Sequence, residues 1–113
     1  MPINGLATQL RKGVIEYCVL ALLRDRAHYG GELVQLLGDR DGLLVTEGTI
    51  YPLLSRLRSE GLVDTAWQET TGGHPRRYYR LSKAGQKAVV EFKSEWVGFR
   101  ATVDSILGIG GKS

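Results

Sequence analysis

Toward the end of the chain, Val89, Phe92, Trp96, Phe99, Val103 and Ile106 recur at alternating spacings of three and four. That is heptad spacing, which commits the segment to a helix packed lengthwise along another. Ser82 stands ready as its N-cap, and the pattern carries to about Leu107. Val90 and Val97 add a second apolar flank. Gly85 weakens the first turn, and Gly98 is a weak spot or a place of close helix contact. A chain of 113 residues normally forms one domain with a modest core. So long an apolar seam therefore asks for a partner.

Upstream, periodicity gives three shorter helices and a hairpin. Leu10, Val14, Tyr17, Cys18, Ala21 and Leu22 recur at helical spacing over about residues 7–24. Ile15, Val19, Leu20 and Leu23 widen the apolar surface, so this helix is covered on more than one side. HYGG breaks the pattern. Tyr29, Leu33, Leu36 and Leu37 then mark a second helix ending near Gly38. The loop DRDGLLVTEG leads to a third, with Ile50, Leu53, Leu54 and Leu57 on its apolar face. Its start lies between Glu47 and Ile50. A start near Thr49 keeps Pro52 in the first turn, whereas an earlier one places a proline inside the helix, with local distortion. LVDTAWQET, TGGHP and RRYYRLS read as strand, turn and strand. Val63, Thr65 and Trp67 share one face of the first strand. Arg77, Tyr79 and Leu81 lie opposite Tyr78 and Arg80 on the second. The expected fold is mainly α with a small β-hairpin, in the order helix, helix, helix, hairpin, helix.

Charge is unevenly spread. Residues 1–70 hold seven basic and nine acidic side chains, and residues 71–113 hold eight basic and three acidic. The basic excess begins in HPRRYYRLSKAG, with four basic residues and no acid. An asymmetry of this kind suits an anionic partner such as nucleic acid. On the third helix, Thr49, Tyr51, Ser55, Arg56, Arg58 and Ser59 stand off the apolar face, where hydroxyls and guanidinium groups can reach phosphates and base edges. A helix of this size, preceded by a short helix and a loop, reads as the second helix of a helix-turn-helix. His74, Arg76 and Arg77 lie at or beside the hairpin turn, and Arg80 and Lys83 extend the positive region. Arginines so placed can straddle a phosphate backbone or enter a minor groove. Of the two adjacent tyrosines one packs inward and one faces out. Tyr79 is assigned to the DNA side.

Several other classes lack support. No nucleophile, base and orienting group show motif spacing. GIGGKS at the C-terminus lacks the full glycine pattern and following helix of a phosphate loop. The chain reads as a non-enzyme without a cofactor. His28 and His74 are far apart and Cys18 is the single cysteine, so no metal site is expected. Cys18 in VIEYCVLALL is expected as an inert core residue. His28 is expected in a loop or cap, and Trp67 as packing on a strand. No run reaches membrane-span length, and the N-terminus lacks the order of a signal peptide, which points to the cytoplasm. Two alternatives remain on residues alone: a protein-interaction module whose charge is merely solvated, and an RNA binder.

The segments YGGELVQLL, VTEGTIYPLLSRLRSEGLV and HPRRYYRLSKAG, in this order and spacing, resemble the PadR family of bacterial winged-helix transcriptional regulators across about residues 11–107. The resemblance is to the short members with a single C-terminal helix. It implies a homodimer on a two-fold symmetric site in double-stranded DNA, usually acting as a repressor. The helix at residues 49–60 would enter the major groove, and the turn at 71–77 would be the wing. His74 stands where the pattern often has arginine, which leaves the wing less charged. The final helix, with the first, would form the dimer. In some short relatives an aromatic on the last helix lines an interface pore for small planar aromatic ligands, and Trp96 lies in the matching region. Leu10, Val14, Val89, Phe92, Trp96, Phe99 and Val103 are thus the expected dimer-interface or ligand-binding set. The expected division is a DNA-binding domain at 1–81, a dimerisation helix at 82–107 and a disordered tail at 108–113.

Overall fold

The computed structural model describes residues 6–38 and 45–110, with side chains from Gly13 onward. The side chain of Leu10, most of the expected loop after Gly38, and residues 111–113 lie outside the described residues. The order is α1 (Leu6–Leu22), β1 (His28–Tyr29), α2 (Gly30–Gly38), α3 (Glu47–Ser59), β2 (Val63–Gln68), β3 (Arg76–Leu81) and α4 (Lys83–Leu107). The fold is mainly α with a small sheet, as the periodicities predict.

The sheet has one more strand than the sequence suggests. Its order is β1-β3-β2, antiparallel throughout. β1 pairs His28 with Tyr79 and Tyr29 with Tyr78. Two residues are too few to produce the alternation by which strands are recognised. His28 is consequently a buried strand residue and not a loop or cap histidine. Its Nδ1 lies 3.3 Å from Glu32 Oε1.

The core is drawn from every layer. Ile15, Val19 and Leu20 of α1, with Leu23 just beyond its end, meet Leu33 and Leu37 of α2, and Ile50, Leu54 and Leu57 of α3. Val63, Tyr79 and Val89 close it from the hairpin and α4. The two apolar sides read on α1 thus have separate uses. The Ile15–Leu23 side enters the core. Tyr17, Cys18 and Ala21 are half-buried and line a hollow with Phe92 and Trp96 of α4. Cys18 therefore sits at the α1/α4 seam, short of the full burial expected for it.

α3 begins at the earlier of its two candidate starts. Thr46 precedes it with extended backbone, and its carbonyl accepts from the N–H groups of Thr49 and Ile50 at 3.0 and 2.9 Å. Pro52 is therefore inside the helix. Its missing donor deprives the Gly48 carbonyl of a partner, but Gly48 and Pro52 are both exposed, where water can satisfy that oxygen. The helix closes with Gly61 at φ 78°, and the Leu62 N–H returns to the Leu57 carbonyl at 3.0 Å. This is a Schellman ending, and it turns the chain into β2.

The junction between the hairpin and α4 rests on two small residues. Ser82 Oγ accepts from the Gly85 N–H at 3.0 Å, capping α4, and donates to the Gly61 carbonyl at 2.7 Å. Gly85 lies against the chain that leaves α3: a Cβ there would be 2.2 Å from the Leu62 carbonyl oxygen. The glycine that propensity marks as a weakness is required for this close approach.

Along α4 the heptad stripe divides. Val89 is buried in the protomer core and lines the hollow between α1 and α4 with Phe92 and Trp96. Phe92 and Trp96 are half-buried, whereas Phe99 is 63% and Ile106 79% exposed. Gly108 at φ 76° ends the helix, and the Ile109 N–H bonds the Asp104 carbonyl at 2.8 Å. The first residues of the expected tail thus form the cap.

Candidate nucleic-acid interface

α3 buries Ile50, Leu54 and Leu57, and this forces its other residues outward. Thr49, Tyr51, Ser55, Arg56 and Arg58 are all exposed. Tyr51 is fixed more firmly than exposure suggests. Its ring lies over Gly30, where an added Cβ would be 2.5 Å from Cε1. The first turn of α2 thereby sets the direction of a side chain on α3.

Arg56, expected among the DNA contacts, is exposed but paired with acids. Its guanidinium pairs with Glu16 of α1 and, at 3.4 Å, with Glu60 one turn further along α3. The hydrogen bond and charge of Glu16 raise its pKa above the ordinary arginine value, so it is more firmly cationic and more firmly held. Glu16 draws Arg56 toward α1 and Glu60 holds it from the end of its own helix; the Glu16 pairing has no sequence signal because the partners lie 40 positions apart. Arg58 has no carboxylate partner among the described residues and is the arginine that α3 presents outward.

The hairpin register places Trp67 opposite Arg77 and Gln68 opposite Arg76. Two cation–π contacts follow. The Arg77 guanidinium carbon lies 4.8 Å from the Trp67 ring centroid, and that of Arg76 lies 4.2 Å from the Tyr29 ring. Stacking holds each guanidinium in place without neutralising it. Neither arginine has a carboxylate within 4.0 Å among the described residues. Arg77 Nε is buried without a hydrogen-bond partner. At the turn, Thr70 Oγ1 donates to the His74 carbonyl at 2.8 Å, and Gly73 takes φ 84°. His74 and Lys83 are exposed.

Tyr79 is corrected. It is 7% exposed and belongs to the core, because its face of β3 pairs with buried His28 and with Thr65. Tyr78 is the outward member of the pair, half-buried and edge-on to Tyr29 at 5.4 Å. Trp67 also differs from expectation: it is 62% exposed and packs on Arg77, outside the core. The cross-strand register was the signal that could have found this pair.

Glu32 anchors the platform under Arg76. Its carboxylate accepts from the Tyr29 backbone N–H at 3.2 Å and from Arg26 at 3.1 Å. Burial pushes its pKa up, but the bonds from Arg26 and Tyr29, the charge of Arg26 and the contact with His28 outweigh it and hold the group below the ordinary carboxylate value.

On the opposite side, α1 and α4 share an aromatic ladder. Tyr17 stacks on Phe92 at 4.1 Å and 4°, Phe92 on Trp96 at 5.8 Å, and Trp96 lies 6.1 Å from Phe99. A hollow of about 320 Å³ opens beside it, lined by Gly13, Val14, Phe92, Glu95, Trp96 and Phe99. Val103 continues the stripe, half-buried. Among the described residues no group of three or more His, Cys, Asp or Glu is placed to hold a metal. No described helix is long and apolar enough to cross a membrane.

A short helix and α3 in helix-turn-helix order, followed by a basic hairpin, define a winged-helix protein. The family model for the PadR-like transcriptional regulators matches residues 19–91. The chain is 34% identical over 83 residues to the transcriptional regulator Rv3488 of Mycobacterium tuberculosis, covering 74% of this chain and 76% of that one. It is also similar to two solved structures. A PadR-like transcriptional regulator from Bacillus cereus is 35% identical, with TM-score 0.79 and coverage of 88% of this chain and 96% of that one. A PadR family transcriptional regulator from Eggerthella lenta is 32% identical, with TM-score 0.79 and coverage of 93% and 91%. The chain belongs to the PadR family of transcriptional regulators, which are not enzymes.

Proposed function

We propose that the protein is a homodimeric repressor that binds a two-fold symmetric operator. Each protomer places α3 in the major groove, and the wing on the adjoining backbone or minor groove. Thr49, Tyr51, Ser55 and Arg58 face the groove, while Arg76, Arg77, His74 and Lys83 supply phosphate contacts. The observation that carries this reading is the pair of wing guanidinium groups, fixed on rings and without carboxylate partners among the described residues. Charge that is positioned but uncompensated suits a polyanion. A module that merely solvates its surface has no use for the stacking.

Dimerisation proceeds through the uncovered side of α4. Phe99 and Ile106 on the heptad stripe meet a second copy, with Val14 and Val103 at the margin. A small planar aromatic ligand enters between paired Trp96 side chains, using the hollow beside Phe92 and Phe99. It acts by favouring one separation of the two α3 helices over another. Purified protein should select genomic fragments carrying inverted repeats, with half-sites one helical turn apart or a multiple of it. Recovery of random fragments alone would remove sequence specificity. Phe99→Glu combined with Ile106→Glu should give folded monomers by sedimentation, and a variant that stays dimeric would remove the α4 seam.

A further inference from the structure

The wing and α3 enclose a cleft of about 250 Å³ between them. Tyr51, Trp67, Arg76, Arg77 and Gly30 are among its lining residues. Two exposed aromatic rings from different elements line it, Tyr51 over Gly30 and Trp67 against Arg77, with Tyr29, Pro75 and the core residue Tyr79 completing the wall. One face of the Trp67 ring carries the guanidinium, yet the side chain remains 62% exposed. An exposed indole on a wing strand adds nothing to the core, and so large an apolar ring in water calls for an occupant.

Resting on the DNA-binding reading above, we propose that this cleft is a phosphodiester subsite in which Trp67 contacts duplex DNA directly. Arg77 pairs with one backbone phosphate, its fork of donors already oriented by the stack. Trp67 lays its ring against the neighbouring deoxyribose and turns its indole N–H toward a phosphate oxygen. The Tyr51 hydroxyl, from the opposite wall, donates to the same backbone. Wing and α3 thereby grip one strand jointly, which fixes the angle at which α3 enters the groove.

The two tryptophans, Trp67 and Trp96, allow a direct test. Protein labelled with fluorotryptophan gives one fluorine NMR signal for each, and Trp67→Phe identifies the Trp67 signal by its loss. A random-sequence duplex at low salt should shift that signal, whereas inorganic phosphate at equal ionic strength should not. Trp67→Ala should weaken duplex binding about tenfold, with Trp67→Phe recovering most of it. Arg77→Gln should lower the slope of log affinity against log salt by about 0.9. The subsite is overturned if the duplex is bound, as read by mobility shift, while the Trp67 signal stays put and Trp67→Ala binds within about twofold of the parent. Free phosphate moving the signal as far as duplex does overturns it too. If no duplex is bound at low salt, the DNA-binding reading fails first and the subsite with it.

Discussion

Arg56 of α3 and Arg77 of the wing stand at the two surfaces assigned to DNA, and they are held by opposite means. Two carboxylates, Glu16 and Glu60, hold Arg56. An indole ring holds Arg77. An ion pair fixes a guanidinium by cancelling its field. A cation–π stack fixes it and leaves the field intact. Counting positive residues along the sequence treats the two alike. Their surroundings make the wing the electrostatic surface, while the centre of α3 is tied to the scaffold.

The largest expected effect removes the frame on which both arginines stand. Gly85→Ala forces a methyl against the Leu62 carbonyl oxygen, where the space for a Cβ is only 2.2 Å. Helix propensity alone favours alanine by roughly 1 kcal/mol. Steric overlap with backbone that is tied to Ser82 should reverse the sign, for a net loss of about 2–3 kcal/mol. Chemical denaturation checks this, and an alanine variant more stable than the parent would refute the close approach.

Next in size is the wing itself. Arg76→Ala with Arg77→Ala should weaken duplex binding about thirtyfold or more at low salt and reduce the salt slope by about 1.8, one increment per phosphate. Arg56→Ala should change the slope far less, since its charge is already opposed by two acids. A full increment of about 0.9 from Arg56→Ala alone would erase the difference between them.

The wing's charge cluster, the α3 face and the α4 heptad were all legible, because each is written in consecutive or periodic residues. The holding of Arg56 by Glu16 was not, since it joins α1 to α3 across the fold and has no period. β1 escaped notice because two residues cannot display alternation. The inward place of Tyr79 is not legible, because strand alternation separates Tyr78 from Tyr79 but does not say which side is core. That was decided by β1, the strand that could not be seen. Residue type alone points Trp67 to packing, since large aromatic residues are usually well buried. Its exposure follows from lying beyond Thr65, where β2 has run past the core.

Glu16→Gln tests the comparison from the other side. It leaves Arg56 in place but removes one of the charges opposing it. Random-duplex affinity should rise about threefold, with the salt slope steepening by less than about 0.9 because Glu60 remains. Folding stability should fall by about 1 kcal/mol or less, since the guanidinium is half exposed and such pairs contribute little. Unchanged affinity and slope would mean that Arg56 points away from duplex DNA whether or not it is paired.

The smallest effect concerns the ring beneath Arg76. Glu32 accepts from the Tyr29 N–H, so its ionised form helps set the backbone of the residue that carries Arg76. Its pKa is lower in the folded protein than its ordinary value of 4.5. A depressed folded pKa means that the folded state favours the carboxylate. The associated stability is therefore fully present above that ordinary value and is lost as pH falls through the folded one. Glu32→Gln should cost about 1 kcal/mol at neutral pH, the scale of one charge-assisted bond at a partly exposed site. The gap between parent and variant should close as acid is added through the carboxylate range. Denaturation across that range is the measurement. A gap independent of pH would show that Glu32 acts by shape alone, and that the platform under Arg76 owes nothing to its charge.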